Sequence, residues 1–400
     1  MDQHKEYQLW MQQLPAVGER RIKKLLSRFG SEREAYERLK TAGEQTVGEL
    51  LSGILNKEQA ECVRMFTRKW QLKENYERLR EQEISFLTEE DGAYPERLRQ
   101  MEIPPYGLYV KGKLPEGERA WAAVIGAREC SSYGSFLAQA FGRRLGEAGV
   151  VTVSGMARGV DGTAQWAALE GGGKTVGVLG SGVDVCYPSS NRKLYERILK
   201  GGGALVSLAP PGTPPAKSLF PRRNQIVAGL SDALLVIEAR QRSGTFITVD
   251  MALEQGKNVY AVPGRITDRL SDGCNMLLRQ GAGIALSPED FLAEVSLLYG
   301  RNSFEWEGRR EKSRGKRNEK KKDGRAEGEQ TWEAADIIDE GEKRVLSLLD
   351  VTPKSLDELL AELKRQGQEL GLSELTSKLI LLCLKGEAVQ IGGSYGIRQK

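Results

Sequence analysis

Between Trp121 and Val262 the chain repeats one unit: a short apolar run, a turn rich in Gly and small polar residues, then a longer segment with helical spacing. The apolar runs are Trp121 to Ile125, Val150 to Val153, Thr175 to Leu179, Ala204 to Ser207, Ala233 to Ile237 and Val259 to Val262. Helical patterns lie between them, among them Tyr133 to Ala148, Gly162 to Leu169, Asn191 to Leu199 and Thr245 to Gln255. Strands this apolar need cover on both faces, and strands that alternate with helices run parallel. Ahead of this region, Ile84 to Leu87 and Tyr106 to Val110, separated by Pro95, Pro104 and Pro105, predict extra strands leading into the same sheet.

The expected fold class is therefore α/β, a Rossmann-like, doubly wound, mostly parallel sheet. Ligands of such sheets bind beyond the carboxyl ends of the strands. Those ends read, in order, Gly126-Ala-Arg128 with Ser131; Ser154-Gly-Met-Ala-Arg-Gly-Val-Asp161; Gly180-Ser-Gly182 with Asp184; a Pro-rich loop ending in Phe220-Pro-Arg-Arg-Asn224; Glu238 with Ser243-Gly-Thr245; and Pro263-Gly-Arg265. A Gly-rich turn between strand and helix offers free amides and a positive helix end to an anion. Gly155 and Gly159 serve a tight turn equally well. The weight comes from recurrence, because Arg128, Arg158, Arg222, Arg223, Arg240, Arg242 and Arg265 converge on one edge and the guanidinium fork matches phosphate. The segment Asn224-Gln-Ile-Val reads as the helix after the Pro-rich loop, which places Arg222 and Arg223 near its N-terminus. The candidate binding residues are Gly126, Arg128, Ser131, Ser154, Gly155, Arg158, Gly159, Asp161, Arg222, Arg223, Asn224, Ser243, Gly244 and Thr245.

Several chemistries are poorly supplied. Gly173-Lys174-Thr175 imitates the end of a P-loop, but Ala168 stands at the required earlier glycine and the tripeptide precedes a strand. Gly177-Val-Leu-Gly180-Ser-Gly182 lacks the order of a dinucleotide fingerprint. The one His, His4, lies outside the α/β region, which excludes a His-based triad there. The 5 Cys suggest neither zinc ligation nor a disulfide framework, so a reducing, cytoplasmic location is expected, with no metal or cofactor. No apolar run reaches the length of a membrane span, and the polar N-terminus is unlike a signal peptide. The net charge of +4 is too small to indicate a partner by itself.

A chain of 400 residues exceeds one ordinary core. Residues 1–81 read as helical, and Leu14-Pro-Ala-Val-Gly18 followed by Arg20, Arg21, Lys23 and Lys24 resembles a helix-hairpin-helix, a phosphate-holding device in other proteins. A helical bundle with merely solvated charges fits the same residues. Residues 82–298 form the α/β core. Residues 299–332 are dense in Lys, Arg, Glu and Gly and read as a flexible linker. In 333–400 helical apolar spacing returns, and Ala388 to Ile397 alternates across Gly392-Gly393 like a hairpin, which together describe a winged helix.

Ile125-Gly-Ala-Arg128 with Ser131-Ser-Tyr-Gly134, Ser154 to Asp161, Phe220 to Asn224, Glu238-Ala with Ser243-Gly-Thr245, and Val262-Pro-Gly264 occur in one order that resembles the DNA-processing protein A (DprA/Smf) family over about residues 84 to 297. The flanks fit that family's three-part plan, with a SAM- or helix-hairpin-helix-like N-terminal domain and a winged-helix-like C-terminal one. The resemblance implies a bacterial protein that binds single-stranded DNA during natural transformation, protects it and loads the RecA recombinase onto it. It also implies a homodimer formed through the Rossmann-like domain and no established turnover. Three positions depart from the family pattern: Gln165 replaces a usual His, Gln225 a common Arg and Leu208 a customary Glu, each expected on the ligand edge.

Two functions follow from these observations. One is a non-enzymatic binder of single-stranded DNA, in which arginines and turn amides neutralise phosphates. The other is a Rossmann-type enzyme on a small nucleotide, such as a phosphoribohydrolase, with Asp161 or Glu238 as general acid or base. Helical and winged flanks suit a polymer ligand better than a small one.

Overall fold

A computed structural model describes residues 3–117, 120–298, 340–350, 353–366, 371–384, 387–391 and 394–397. The chain divides into two compact units, Met1–Ser303 and Phe304–Lys400. The expected linker at 299–332 and the Gly392-Gly393 turn lie outside the described residues.

The first unit begins with six helices: α1 (Gln3–Gln12), α2 (Glu19–Phe29), α3 (Glu32–Thr41), α4 (Glu44–Leu50), α5 (Lys57–Lys69) and α6 (Leu72–Glu81). The periodic apolar positions Ile22, Leu25, Phe29 and Leu39 close on one core with Trp10, Met11 and Val63. Local chemistry sets the boundaries. Ser31 caps α3, and Asn56 and Gln59 form a reciprocal capping box that starts α5. A further cluster joins Leu9 and Leu79 to Phe86 and Tyr109, so these helices pack directly on the sheet.

The remainder of the unit runs β1 (Ile84–Thr88), α7 (Glu96–Arg99), β2 (Gly107–Gly112), β3 (Trp121–Ile125), α8 (Ser132–Glu147), β4 (Val151–Ser154), α9 (Val160–Glu170), β5 (Thr175–Val178), α10 (Arg192–Lys200), β6 (Ala204–Ser207), α11 (Leu219–Leu230), β7 (Ala233–Val236), α12 (Thr245–Glu254), β8 (Asn258–Ala261), α13 (Asp272–Arg279), β9 (Gly283–Ile284) and α14 (Pro288–Leu298). They form a 9-stranded sheet of order β1-β2-β6-β5-β4-β3-β7-β8-β9. Strands β3 to β9 pair in parallel, while β1 and β2 add an antiparallel edge. The fold is Rossmann-like α/β. Alternation splits each strand between two cores: Ala123, Val153 and Val236 face α11 to α13, while Ala122, Val124 and Leu235 face α8, α9 and α14.

The chain winds outward from β3 through β4, β5 and β6, then returns to place β7 on the other side of β3. The loops after β3 and β7 therefore diverge at a topological switch point, with the β4 loop beside them. Two expected boundaries move. Helix α9 starts at Val160 rather than Gly162, and α11 starts at Leu219 rather than Asn224. Pro221 thus sits inside the first turn of α11, where a missing N–H leaves no intrahelical bond unmade. The short β9 was not foreseen, since a two-residue strand carries no periodicity.

The second unit places helices at Glu340–Leu348, Leu356–Arg365 and Leu372–Leu384. Its 3-stranded sheet comprises Lys354–Ser355, Ala388–Ile391 and Ser394–Ile397, with the last strand central and antiparallel to both neighbours. Val345, Leu359, Leu363, Leu375, Leu379 and Tyr395 form its core.

Candidate functional site

The loops after β3, β4 and β7, with the first turns of α11 and α12, enclose a cleft of about 470 Å³ at the carboxyl edge of the sheet. Gly126, Arg128, Gly155, Asp161, Arg223, Asn224, Ser243, Gly244 and Thr245 all line it. Arg223 is 7% exposed and lies directly against Gly155, where any Cβ would overlap the guanidinium. That close approach is what requires glycine at 155. The Nε of Arg223 and the Oγ of Ser243 are buried without hydrogen-bond partners. Native interiors leave few such groups, and both belong to residues that line the cleft.

Asp161 and Arg223 each favour the other's charged form. The Asp161 Oδ2 accepts from the Gly155 N–H at 3.2 Å. Burial pushes the Asp161 carboxyl up from its ordinary value, while Arg223, the Ser154 hydroxyl and the amides of Gly155 and Gly126 oppose the shift. Burial pulls Arg223 down, with Asp161 opposing and Arg128 adding to the fall. A guanidinium starts so high that it stays cationic. The cleft thus holds a desolvated positive charge, and α12 begins on its wall without a side-chain cap, leaving its first amides and positive end there.

An aromatic patch adjoins the cleft. The Phe220 ring lies 5.7 Å from the Arg128 guanidinium carbon, 5.9 Å from that of Arg223 and 5.8 Å from the Tyr187 ring. Tyr187 is 44% exposed, and Arg158 stands on the same hollow. Cations beside a half-buried and an exposed ring suit a ligand with flat π faces and negative charge.

The other expected site residues have different places. Ser131 caps α8 by accepting from the Gly134 N–H at 3.0 Å, and its own N–H and hydroxyl donate to the buried Glu238. Ser154 is fully buried and donates to the Val124 carbonyl at 2.6 Å. Gly159 has φ +73°, and a side chain there would strike the carbonyls of Ala127 and Arg128. These three shape the loops. Arg222 leaves the cleft altogether, with its Nη2 2.6 Å from Glu19 Oε1 on α2. Beginning α11 five residues earlier turns consecutive arginines to different sides. Gln165 is also off the ligand edge: it is buried and donates to Thr175 Oγ1 at 3.0 Å and to the Val176 carbonyl at 3.1 Å.

Lys217 and Arg240 line the cleft without having been singled out among the site residues, and Tyr187 completes the aromatic patch. Arg240 was visible among the strand-end arginines. Lys217 stands three residues before Phe220 and nothing in its surroundings marked it, while Tyr187 needed the contact with Phe220 to acquire meaning.

Comparison with known proteins places this geometry. A family profile described as DNA recombination-mediator protein A matches residues 85–296, the α/β region that carries the cleft. The DNA processing protein DprA of Streptococcus pneumoniae is 43% identical over 205 residues, 51% of this chain and 72% of that protein. Protein Smf of Escherichia coli is 41% identical over 202 residues, 50% of this chain and 54% of that protein. The crystal structure of the S. pneumoniae DprA superposes with a TM-score of 0.60 at 33% identity, covering 72% of this chain and 97% of that one.

Proposed function

The chain belongs to the DNA recombination-mediator protein A (DprA/Smf) family, and from that premise we propose that its cleft binds the backbone of single-stranded DNA. The observation that carries the proposal is Arg223, a guanidinium that lines the cleft against Gly155, with Arg128 beside it. A phosphate is a charged acceptor for such cations, with Lys217 and the start of α12 at hand. Phe220 and Tyr187 offer stacking to bases, which any sequence satisfies. The expected handover to the RecA recombinase, and a SAM- or helix-hairpin-helix-like N-terminal domain and winged-helix-like C-terminal unit that serve it, form part of the same proposal. So does a homodimer through the α/β domain: β9 ends the sheet, and Ile284 and Leu286 beside it are 54% and 75% exposed. Leu286→Glu should then shift the sedimentation of the full chain from dimer to monomer.

The nucleotide-enzyme reading has less support. Glu238 accepts from the Ser131 N–H and hydroxyl, and Asp161 is buried and bonded to the loop amide. The deciding experiment is a salt-titrated binding assay comparing single-stranded DNA with mononucleotides. Strand binding should weaken steeply and linearly in log salt, and mononucleotides should bind far more weakly. Equal affinity for both, with release of base or phosphate lost in Asp161→Ala or Glu238→Ala, would replace this reading with the enzymatic one.

A further inference from the structure

Helix α2 carries five cations, Arg20, Arg21, Lys23, Lys24 and Arg28, against one acid, Glu19. The fold uses two of them internally. Arg21 Nη1 donates to the Ala16 carbonyl at 2.5 Å and closes the turn that enters the helix. Arg28 Nη1 donates to the carbonyls of Leu50 and Ser52 at 2.9 and 2.7 Å. Arg20, Lys23 and Lys24 are exposed, and among the described residues no acid or carbonyl bonds to them. Their spacing of three and four residues puts all three on one face, which Ser27 continues. Ile22, Leu25 and Phe29 turn the opposite side into the core.

This face borders the ligand edge. Glu19, the first residue of α2, is the carboxylate that pairs with Arg222, the neighbour of Arg223 on α11. A surface hollow of about 390 Å³ lies there, with Glu19, Arg20 and Arg21 on one wall and Leu208 and Gln225 among the others. Leu208 and Gln225 are two of the three positions that depart from the family pattern, and neither is charged. Glu19, the one acid of the lining, is already paired, so the hollow presents net positive charge to an anion. Among the described residues α2 exposes no large apolar side chain, the anchor that a protein partner would bury. Cations beside a hydroxyl suit a phosphate chain instead. Resting on the strand-binding reading above, we infer that the exposed face of α2 carries the single strand onward from the cleft, with Arg20, Lys23 and Lys24 neutralising the phosphates beyond Arg222.

The test uses the full chain and oligothymidylates of increasing length in a salt-titrated anisotropy assay. Arg20→Gln, Lys23→Gln and Lys24→Gln are combined in one variant, since glutamine keeps a helix. A control variant makes the same charge change elsewhere on the helical bundle, with Gln at the exposed Lys57, Lys69 and Arg80. The α2 variant should bind short strands like wild type and long strands about tenfold more weakly. Its long-strand salt slope should be shallower by about 2, at roughly 0.7 for each lost phosphate contact. The control should match wild type at every length. Equal losses in both variants would reduce the effect to net charge and overturn the inference, as would wild-type binding of every length by the α2 variant. Loss of duplex affinity with strand affinity intact would give the face a different occupant and overturn it too. Arg223→Met separates this inference from the reading it rests on, because it should weaken short and long strands alike. If Arg223→Met binds every length like wild type while the α2 variant binds none, the cleft reading fails and the face is not its continuation.

Discussion

The sheet carries an Arg and an Asp at each end, and the two sets behave oppositely. At the amino end Arg97 grips Asp232 with both nitrogens, at 2.7 and 2.8 Å. Asp232 also accepts the Trp121 N–H at 2.8 Å, and the Arg97 guanidinium stacks 5.2 Å from the Trp121 ring. At the carboxyl end Arg223 and Asp161 are more deeply hidden, whereas the side chains of Arg97 and Asp232 keep 20% and 19% of their exposure, yet Arg223 has an unpartnered Nε and Asp161 bonds to the chain itself. Burial and hydrogen-bond satisfaction run in opposite directions: the deeper set is the less satisfied one. The satisfied set is a clamp that ties β3 to β7 and α7, whereas the unsatisfied set lines the cleft.

The sharpest way to break this comparison is to disable the clamp. Arg97→Met should leave Asp232 partly buried without its fork, lowering stability in urea denaturation by about 2–4 kcal/mol. Strand affinity at 25 °C should stay as in wild type. A variant that unfolds normally but binds poorly would place the binding charge at the wrong end of the sheet.

Arg223→Met should do the reverse. Strand affinity should fall by about 1–3 kcal/mol, and the slope of log affinity against log salt should become shallower by roughly 0.7. Stability should be followed alongside in urea, because the substitution also takes from the buried Asp161 the cation that favours its charged form. Arg222→Ala should cost less affinity than Arg223→Met, since its guanidinium is exposed and already engaged by Glu19. Equal losses from both substitutions, with unchanged salt slopes, would return both arginines to a structural role.

The smallest expected effect concerns Asp161. Its folded-state pKa is raised by burial above 3.8, so the folded chain holds this proton more tightly than the unfolded one. The stability that follows is fully present below the unfolded value and is lost as pH rises through the raised folded value. Asp161→Asn should remove that segment of the pH–stability curve and bind the strand a few-fold more tightly at neutral pH, having lost a negative charge near the phosphate. An unaltered pH profile would show that the carboxylate is no more costly here than in water.

Much of this protein was determined by local sequence. Continuous apolar runs between helical segments established a doubly wound sheet, and the small residues after each run marked its carboxyl edge, because both signals arise within a few neighbouring residues. The motifs of the family fell on that edge for the same reason. What local sequence left open was which polar groups on the edge were still free. Ser131 and Ser243 are both strand-end serines, yet one is consumed by Glu238 across 107 positions and the other is orphaned. Arg222 and Arg223 are adjacent, yet one meets Glu19 across 203 positions while the other is pressed against Gly155 with nothing to bond its Nε. Whether a donor is free depends on neighbours brought close by the whole fold, and so the tertiary structure alone decided which of the expected residues keep a free donor and which are bonded within the protein.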